Sequence, residues 1–125
     1  MNDKKRVLIV DDAVVMRMML KDILSKGGFE VVGEAPNGPE AVEKYKRLRP
    51  DIVTMDVVMP GMDGIAAVKE IVAADPAAMI VMCTSMGQET LMREALEAGA
   101  KAAITKPFRP PEILDVINKV LGEHR

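Results

Sequence analysis

A regular alternation along the chain limits its fold more than any other sequence feature. Five short apolar runs recur every twenty to thirty residues, at positions 7–10, 30–33, 51–55, 79–83 and 102–105. Their length and their branched aliphatic residues are typical of buried strands. The longer stretches between and after them repeat their apolar residues at helical spacing, as the last one does at Ile113, Ile117 and Val120.

The helical stretches carry start and stop signals. Gly38-Pro39 predicts the start of the second helix, with proline at the first helical position, and Gly99 predicts the end of the fourth. Strands that alternate with helices pair in parallel through right-handed crossovers, and near-continuous apolar strands are covered by helices on both faces. We therefore predict an α/β fold, a (βα)5 doubly wound parallel sheet, formed by a single domain of 125 residues.

Composition and charge exclude several classes of protein. Hydrophobic residues make up 49% and charged residues 29%, the balance of an ordinary soluble domain. The chain starts with polar and charged residues, so we expect no signal peptide, no membrane insertion and a cytoplasmic location. Seventeen basic against nineteen acidic residues give a net charge of -2, with no basic run, so we expect no nucleic-acid partner.

Three residue types receive structural rather than functional interpretations. The single Cys83 lies in an apolar run and is expected to be buried. The single His124 is close to the C-terminus, where a solvated side chain is expected rather than a catalytic base. Met16, Met18 and Met19 on the first predicted helix could form a methionine-rich binding face, but filling of the core is the favoured interpretation.

Polar residues follow four of the five predicted strands. Asp11 and Asp12 follow the first strand, Asp56 the third, Thr84 the fourth and Lys106 the fifth. In an open α/β sheet, ligands bind beyond the carboxyl ends of the strands, so these side chains are expected to face one crevice. Taken singly, the acidic pair could be a helix cap, Asp56 could open a turn, and Lys106 could belong to a plain loop.

The combination predicts phosphoryl chemistry. Carboxylates about 4 Å apart repel by roughly 4 kcal/mol per pair at an effective dielectric of 20, so the acidic cluster requires a cation. Oxygen ligands and a phosphate-handling site favour Mg2+. Lys106 and the Thr84 hydroxyl can hold phosphoryl oxygens, and Asp56 can attack phosphorus as a carboxylate nucleophile.

The motifs themselves resemble a known family. They are VLIVDD at 7–12, MDVVMPGMDG at 55–64, Cys83-Thr84, and Lys106-Pro107-Phe108. Over essentially its whole length the chain resembles the receiver domain of two-component response regulators, in its stand-alone chemotaxis type. The resemblance implies a flavodoxin-like sheet with strand order 2-1-3-4-5, and a single receiver domain over residues 1–125 with no attached output domain.

The resemblance also implies roles for the site residues. Asp56 would be phosphorylated by the phosphohistidine of a sensor histidine kinase, and the phosphoryl group would be lost slowly by autodephosphorylation. Asp12, Asp56 and the backbone carbonyl of Val58 would bind Mg2+ directly, and Asp11 would bind it through water. Thr84 and Lys106 would contact the phosphoryl group.

Two further implications concern the loops around the phosphoryl group. Ser85, a small residue, would leave the phosphoryl group accessible. The peptide bond between Lys106 and Pro107 would be cis, as in the family.

Signal output would occur by phosphorylation-dependent binding of a downstream protein, for which a flagellar-motor switch protein is the family expectation. The expected surface is the fourth helix, fifth strand and fifth helix, with Leu91, Met92, Lys101 and Ala103 as exposed members. Ala103 stands where the family has its switch aromatic. Its small side chain predicts that phosphorylation changes partner binding only weakly, or that the partner binds the fourth helix and the loop at 85–89 instead.

Other functions are weighed against this one. A phosphohydrolase of the haloacid-dehalogenase type needs a second aspartate two residues after the nucleophile, where this chain has Val58, and Val58 cannot transfer a proton. A flavin-binding module would place phosphate against Asp11 and Asp12, which would repel it. A receiver with a target outside chemotaxis, and a docking receiver that is never phosphorylated, are further alternatives. Val58 stands where the family frequently has a polar side chain, and Met86, two residues after Thr84, is a further departure. Both bear on the rate of dephosphorylation.

Overall fold

The computed structural model describes residues 4–59 and 61–122, and within these ranges five strands alternate with five helices. The elements are β1 (Arg6–Val10), α1 (Val14–Lys26), β2 (Glu30–Ala35), α2 (Gly38–Leu48), β3 (Ile52–Asp56), α3 (Gly64–Ala74), β4 (Ile80–Thr84), α4 (Glu89–Ala98), β5 (Ala102–Thr105) and α5 (Pro110–Gly122). All strand pairs are parallel, in the order β2-β1-β3-β4-β5. The predicted (βα)5 flavodoxin-like fold and its strand order are confirmed.

The sheet separates two apolar layers, because successive side chains of a strand point to opposite faces. Leu8 and Val53 pack on the face covered by α2, α3 and α4. Val7 and Ile52 pack on the other face, which α1 and α5 cover. The central strands β3 and β4 are buried along their whole length, which explains why their sequences are nearly continuous apolar runs.

Local capping explains where several helices begin and end. Asn37 caps α2, its side chain accepting a hydrogen bond from the N–H of Glu40 at 2.9 Å. The helix therefore begins at Gly38, and Pro39 is its second residue rather than the predicted first. Helix α4 ends before Gly99, as predicted, and Gly99 has a φ of 126° that favours glycine.

The first helix corrects one expectation about methionine. Met18 and Met19 are 64% and 42% exposed, so the interpretation that they fill the core is wrong. Helix α1 packs on the sheet through Leu20 and Leu24 instead. Cys83 is buried, as predicted.

Two sequence expectations fall outside the described residues. They concern His124 and Pro60, the latter part of the motif at 55–64. Among the helices of the described ranges, none combines the length and the apolar character that crossing a bilayer requires.

Candidate functional site

Three carboxylates converge at the carboxyl edge of the sheet. Asp11 and Asp12 follow β1, Asp56 ends β3, and one oxygen from each lies within 4.8 Å of the other two. Strands β1 and β3 are paired in register, with Val10 opposite Met55, so their ends lie level. Asp11 and Asp56 are buried, whereas Asp12 is exposed, and the cluster therefore opens to solvent on the side of Asp12.

Asp11 is not a helix cap. The N-cap of α1 is Ala13, which has no side-chain capping bond. One Asp11 oxygen accepts a hydrogen bond from the N–H of Ala13 at 2.9 Å, and the other lies 3.2 Å from Lys106. The capping alternative for the acidic pair is therefore wrong, and the second Asp11 oxygen points into the cluster.

Lys106 reaches the cluster from the end of β5. Its Nζ lies 3.2 Å from Asp11 Oδ2 and 3.6 Å from Asp56 Oδ1. The backbone fixes its place, because the N–H of Lys106 donates to the carbonyl of Thr84 at 2.7 Å. The peptide bond between Lys106 and Pro107 is cis, as the family resemblance implied.

The electrostatics of the cluster are unbalanced. Burial, followed by the charge of Asp11, raises the pKa of Asp56 from 3.8 to about 6; Lys106 opposes this rise, and Asp12 adds to it. A hydrogen bond from the backbone of Val58 also favours the charged form of Asp56. Burial would lower the pKa of Lys106, but Asp56 and Asp11 raise it overall, so Lys106 stays charged. One lysine does not compensate three carboxylates.

The donor set fits a hard divalent cation. All three groups are carboxylates, and their oxygens lie close enough together for one ion to contact one oxygen from each. Mg2+ prefers oxygen ligands of this kind, and its charge would offset the burial and the repulsion from Asp11 that together raise the pKa of Asp56. Val58 lies beside Asp56 in the following loop, and the role of its carbonyl as a ligand stays a prediction.

Gly64 lets the loop after β3 fold back on Asp56. A Cβ atom at Gly64 would lie 2.2 Å from the carbonyl oxygen of Asp56. The N–H of Gly64 donates to the carbonyl of Val57 at 2.8 Å, which holds this close approach. The motif contains Gly64, but sequence analysis gave this residue no role. Only the folded structure brings the start of α3 against Asp56.

Thr84 is buried at the end of β4, and its hydroxyl is engaged by the following loop. Thr84 Oγ1 lies 2.9 Å from the side-chain oxygen of Gln88 and 3.2 Å from the carbonyl of Ser85. Ser85 is exposed, which agrees with an accessible site. Sequence analysis missed Gln88, although its place four residues after Thr84 is a weak signal for a loop contact.

Arg17 is a second residue that sequence analysis missed. Its Nη1 donates to the carbonyl of Asp11 at 2.7 Å, and its Nε lies 3.1 Å from Glu34. Arg17 therefore ties α1 and β2 to the backbone that carries the acidic pair. An arginine on the polar side of a helix gives no sequence signal of such a role, since most such residues are solvated.

The expected signalling surface is less exposed than predicted. Lys101 is exposed, as expected. Leu91, Met92 and Ala103 are partly buried, and Leu91 and Ala103 pack against the core beneath α2, α3 and α4. These three residues are therefore less exposed than expected, and for Leu91 and Ala103 the reason is this packing against the core.

Comparison with known proteins gives consistent matches over most of the chain. The family model of the response regulator receiver domain matches residues 7–118. The chain is 62% identical over 116 residues to the chemotaxis protein CheY of Thermotoga maritima, a match that covers 93% of this chain and 97% of that protein. It is 60% identical over 117 residues to CheY of Bacillus subtilis, covering 94% and 98% respectively.

Solved structures agree with the sequence matches. The CheX-CheY-BeF3-Mg2+ complex from Borrelia burgdorferi aligns with a TM-score of 0.89 at 39% identity, covering 93% of this chain and 88% of that chain. The response regulator domain of Thermotoga maritima CheB aligns with a TM-score of 0.88 at 40% identity, covering 95% and 97%.

Proposed function

Because this chain belongs to the response regulator receiver family, and to its CheY-like chemotaxis type, we propose that it is a phosphorylation switch in which Asp56 accepts the phosphoryl group. One observation carries the proposal. Asp56 is clustered with two further carboxylates within 4.8 Å, and the ammonium of Lys106 lies 3.6 Å from Asp56 Oδ1. Cation ligands and a phosphoryl-binding charge thus adjoin a single nucleophile.

The chemical step is a displacement at phosphorus. A carboxylate oxygen of Asp56 forms the new O–P bond, while the N–P bond of a phosphohistidine on a sensor histidine kinase breaks. Lys106 already lies beside Asp56 and stabilises the added negative charge. Thr84 donates its hydroxyl hydrogen to a phosphoryl oxygen. Exposed Ser85 leaves room for the donor.

Asp12, Asp56 and the Val58 carbonyl would hold Mg2+ directly, and Asp11 would hold it through water. When bound, the ion supplies positive charge to the phosphoryl oxygens. The closeness of the carboxylates supports this assignment, since one oxygen from each of Asp11, Asp12 and Asp56 lies within 4.8 Å of the other two. The Borrelia CheY structure contains both BeF3 and Mg2+, which supports the same arrangement in this chain.

We expect loss of the phosphoryl group to be slow. Val58 and Met86 are 48% and 85% exposed in the loops after β3 and β4. Their apolar side chains cannot orient or deprotonate an attacking water molecule. This feature also opposes a haloacid-dehalogenase type of phosphohydrolase, and the chain belongs to a family of receivers rather than of classical enzymes.

Output would be phosphorylation-dependent binding of another protein in the cytoplasm. The relatives that support chemotaxis are themselves matched over 97% and 98% of their length, which favours a single receiver domain over residues 1–125. The Borrelia CheY was solved in complex with CheX, so a CheX-type protein is one candidate partner. A flagellar-motor switch protein is another, and a target outside chemotaxis is the alternative.

The test is labelling with acetyl phosphate and Mg2+, followed by intact-protein mass spectrometry. We expect one added phosphoryl group in the wild type and none in Asp56→Asn. Asp115→Asn is the matched control, because Asp115 is an exposed aspartate on α5 that should not affect labelling. Undiminished labelling of Asp56→Asn would remove the assignment of the acceptor.

A further inference from the structure

The single hydroxyl hydrogen of Thr84 is engaged within the loop that follows β4. The side-chain oxygen of Gln88, at 2.9 Å, is nearer to Thr84 Oγ1 than the carbonyl of Ser85, at 3.2 Å. The same Gln88 oxygen accepts the N–H of Ser85 at 2.7 Å. A hydroxyl has one hydrogen to donate, so a bond from Thr84 to Gln88 and a bond from Thr84 to a phosphoryl group exclude each other.

Gln88 also stands at the start of α4. It occupies the N-cap position, but its side chain makes no capping bond to the first turn of the helix. The side chain folds back toward β4 instead. The N–H of Gln88 donates to the carbonyl of Ser85 at 3.3 Å and closes a turn in which Gly87 has a φ of 88°. One side chain therefore joins the Thr84 hydroxyl to the beginning of α4.

We infer that Gln88 is a positioning residue that retains the Thr84 hydroxyl in this loop until a phosphoryl group on Asp56 takes its hydrogen. The inference rests on the proposed function, in which Thr84 contacts the phosphoryl group. Charged phosphoryl oxygens accept stronger hydrogen bonds than a neutral amide oxygen does, so the exchange is favourable once the group is present. Gln88 then keeps its bond from the Ser85 N–H and loses its bond to β4.

The release of Gln88 offers α4 a way to respond without an aromatic switch residue. Ala103 is partly buried and packs against the core on the α4 side, and its methyl group cannot follow a movement of Thr84. Gln88 contacts Thr84 directly and immediately precedes Glu89, the first residue of α4. A change of partner at Thr84 therefore alters the loop that begins this helix.

The test is the affinity for beryllofluoride in the presence of Mg2+, measured by NMR titration of backbone amides. Gln88→Met keeps the length of the side chain and removes the acceptor, so it should bind beryllofluoride about three- to tenfold more tightly than the wild type. Glu89→Met makes the same replacement at the next, exposed position and should leave the affinity unchanged.

Thr84→Val separates positioning from a general effect on the loop. In the Thr84→Val background, Gln88→Met should give no gain, because no hydroxyl remains to be released. An equal gain in both backgrounds would overturn the inference and assign Gln88 a merely structural role. No gain in the wild-type background would overturn it as well.

The wild type, Gln88→Met, Thr84→Val and the double variant also show whether the proposed function itself fails. If Thr84→Val has no effect on affinity in the Gln88→Met background, Thr84 does not contact the phosphoryl mimic, and the proposed role of Thr84 fails. If Thr84→Val weakens binding equally in the wild-type and in the Gln88→Met background, the role of Thr84 stands and the positioning role of Gln88 fails.

Discussion

The loops that follow β3 and β4 are neighbours at the same edge of the sheet, but they are held in different ways. Gly64, after β3, lies against the backbone of Asp56, and Asp63 caps α3 with a bond of 2.8 Å to the N–H of Ala66. After β4, Met86 is 85% exposed, and the N-cap residue Gln88 makes no capping bond.

The helices that follow these two loops differ in the same way, because α3 buries more residues than α4. Helix α3 buries five residues, which are Gly64, Ile65, Ala67, Val68 and Ile71. Helix α4, which is described along its whole length, buries Ala95. Segments with few buried apolar contacts open at lower free-energy cost. Asp56 therefore lies on a firmly packed support, whereas the loop that is expected to change lies on a loosely packed one.

The largest effect on the rate of phosphorylation is expected from a change in the acidic cluster. Asp12→Ala removes a carboxylate from the cation cluster and should lower the rate of phosphorylation by acetyl phosphate by at least about 100-fold. On the β4 side, Thr84→Val removes one neutral donor and should lower the same rate by about tenfold or less. Both rates can be measured by mass spectrometry over time.

The dependence of labelling on a divalent cation provides the control for the difference between Asp12→Ala and Thr84→Val. Excess EDTA should abolish labelling of the wild type and of Thr84→Val, since both keep the three carboxylates. If Asp12→Ala is labelled at the wild-type rate, or labelling survives EDTA, the acidic cluster has some other purpose.

The same substitution at two glycines tests whether the loop after β3 is packed more firmly than the loop after β4. Gly64→Ala would press a Cβ atom into the Asp56 backbone, and we expect the free energy of unfolding to fall by about 3 kcal/mol. Gly87→Ala meets no atom within 4 Å, but its φ of 88° is unfavourable for alanine, and we expect a loss of about 1 kcal/mol.

Urea unfolding followed by far-UV circular dichroism measures both losses. The unfolding midpoint should fall more for Gly64→Ala than for Gly87→Ala, with similar slopes. Equal losses would show that the two loops are held equally well.

A smaller effect on the free energy of unfolding is expected from the charge of Asp56 itself. Its pKa is raised from 3.8 to about 6, so in the absence of a divalent cation the folded chain binds this proton more tightly than the unfolded chain. The loss of folding stability that an ionised Asp56 causes is therefore complete above about pH 6 and disappears as the pH falls toward 4. At pH 7, Asp56→Asn should raise the free energy of unfolding by about 1–2 kcal/mol.

The measurement compares unfolding of wild type and Asp56→Asn from pH 7 to pH 4, in EDTA. The difference should shrink as the pH falls, because protonation makes the wild-type site neutral at this position. Addition of Mg2+ at pH 7 should stabilise the wild type. A difference that stays constant with pH would show that charge at Asp56 is not its cause.

The smallest effect concerns the missing aromatic residue. Ala103→Tyr adds a side chain at β5, away from the acidic cluster, and should change beryllofluoride affinity by no more than about twofold. Amide signals of α4 should shift on beryllofluoride binding in the wild type as well as in Ala103→Tyr. If the α4 signals shift only in the variant, the loop after β4 does not transmit the binding of beryllofluoride to α4 unless an aromatic residue is present.

The sequence alone determined the alternation of strands and helices and the polar residues at the strand ends, because both depend on local patterns. The apolar run at 51–55 predicts a buried strand, which the structure has at Ile52–Asp56, and Asp56 at its end has to lie at the carboxyl edge of a parallel sheet. The same logic located Asp11, Thr84 and Lys106.

Tertiary structure alone decided which of these groups touch and which further residues hold them. The bond of Arg17 to the Asp11 carbonyl, the close approach of Gly64 to Asp56, and the contact of Gln88 with Thr84 each join side chains and backbone from different elements. Exposure of Met18 and partial burial of Leu91 were likewise decided by how the helices rotate on the sheet. The reason is physical: a periodic pattern fixes which face of an element is apolar, whereas contacts between elements depend on packing distances that no local pattern records.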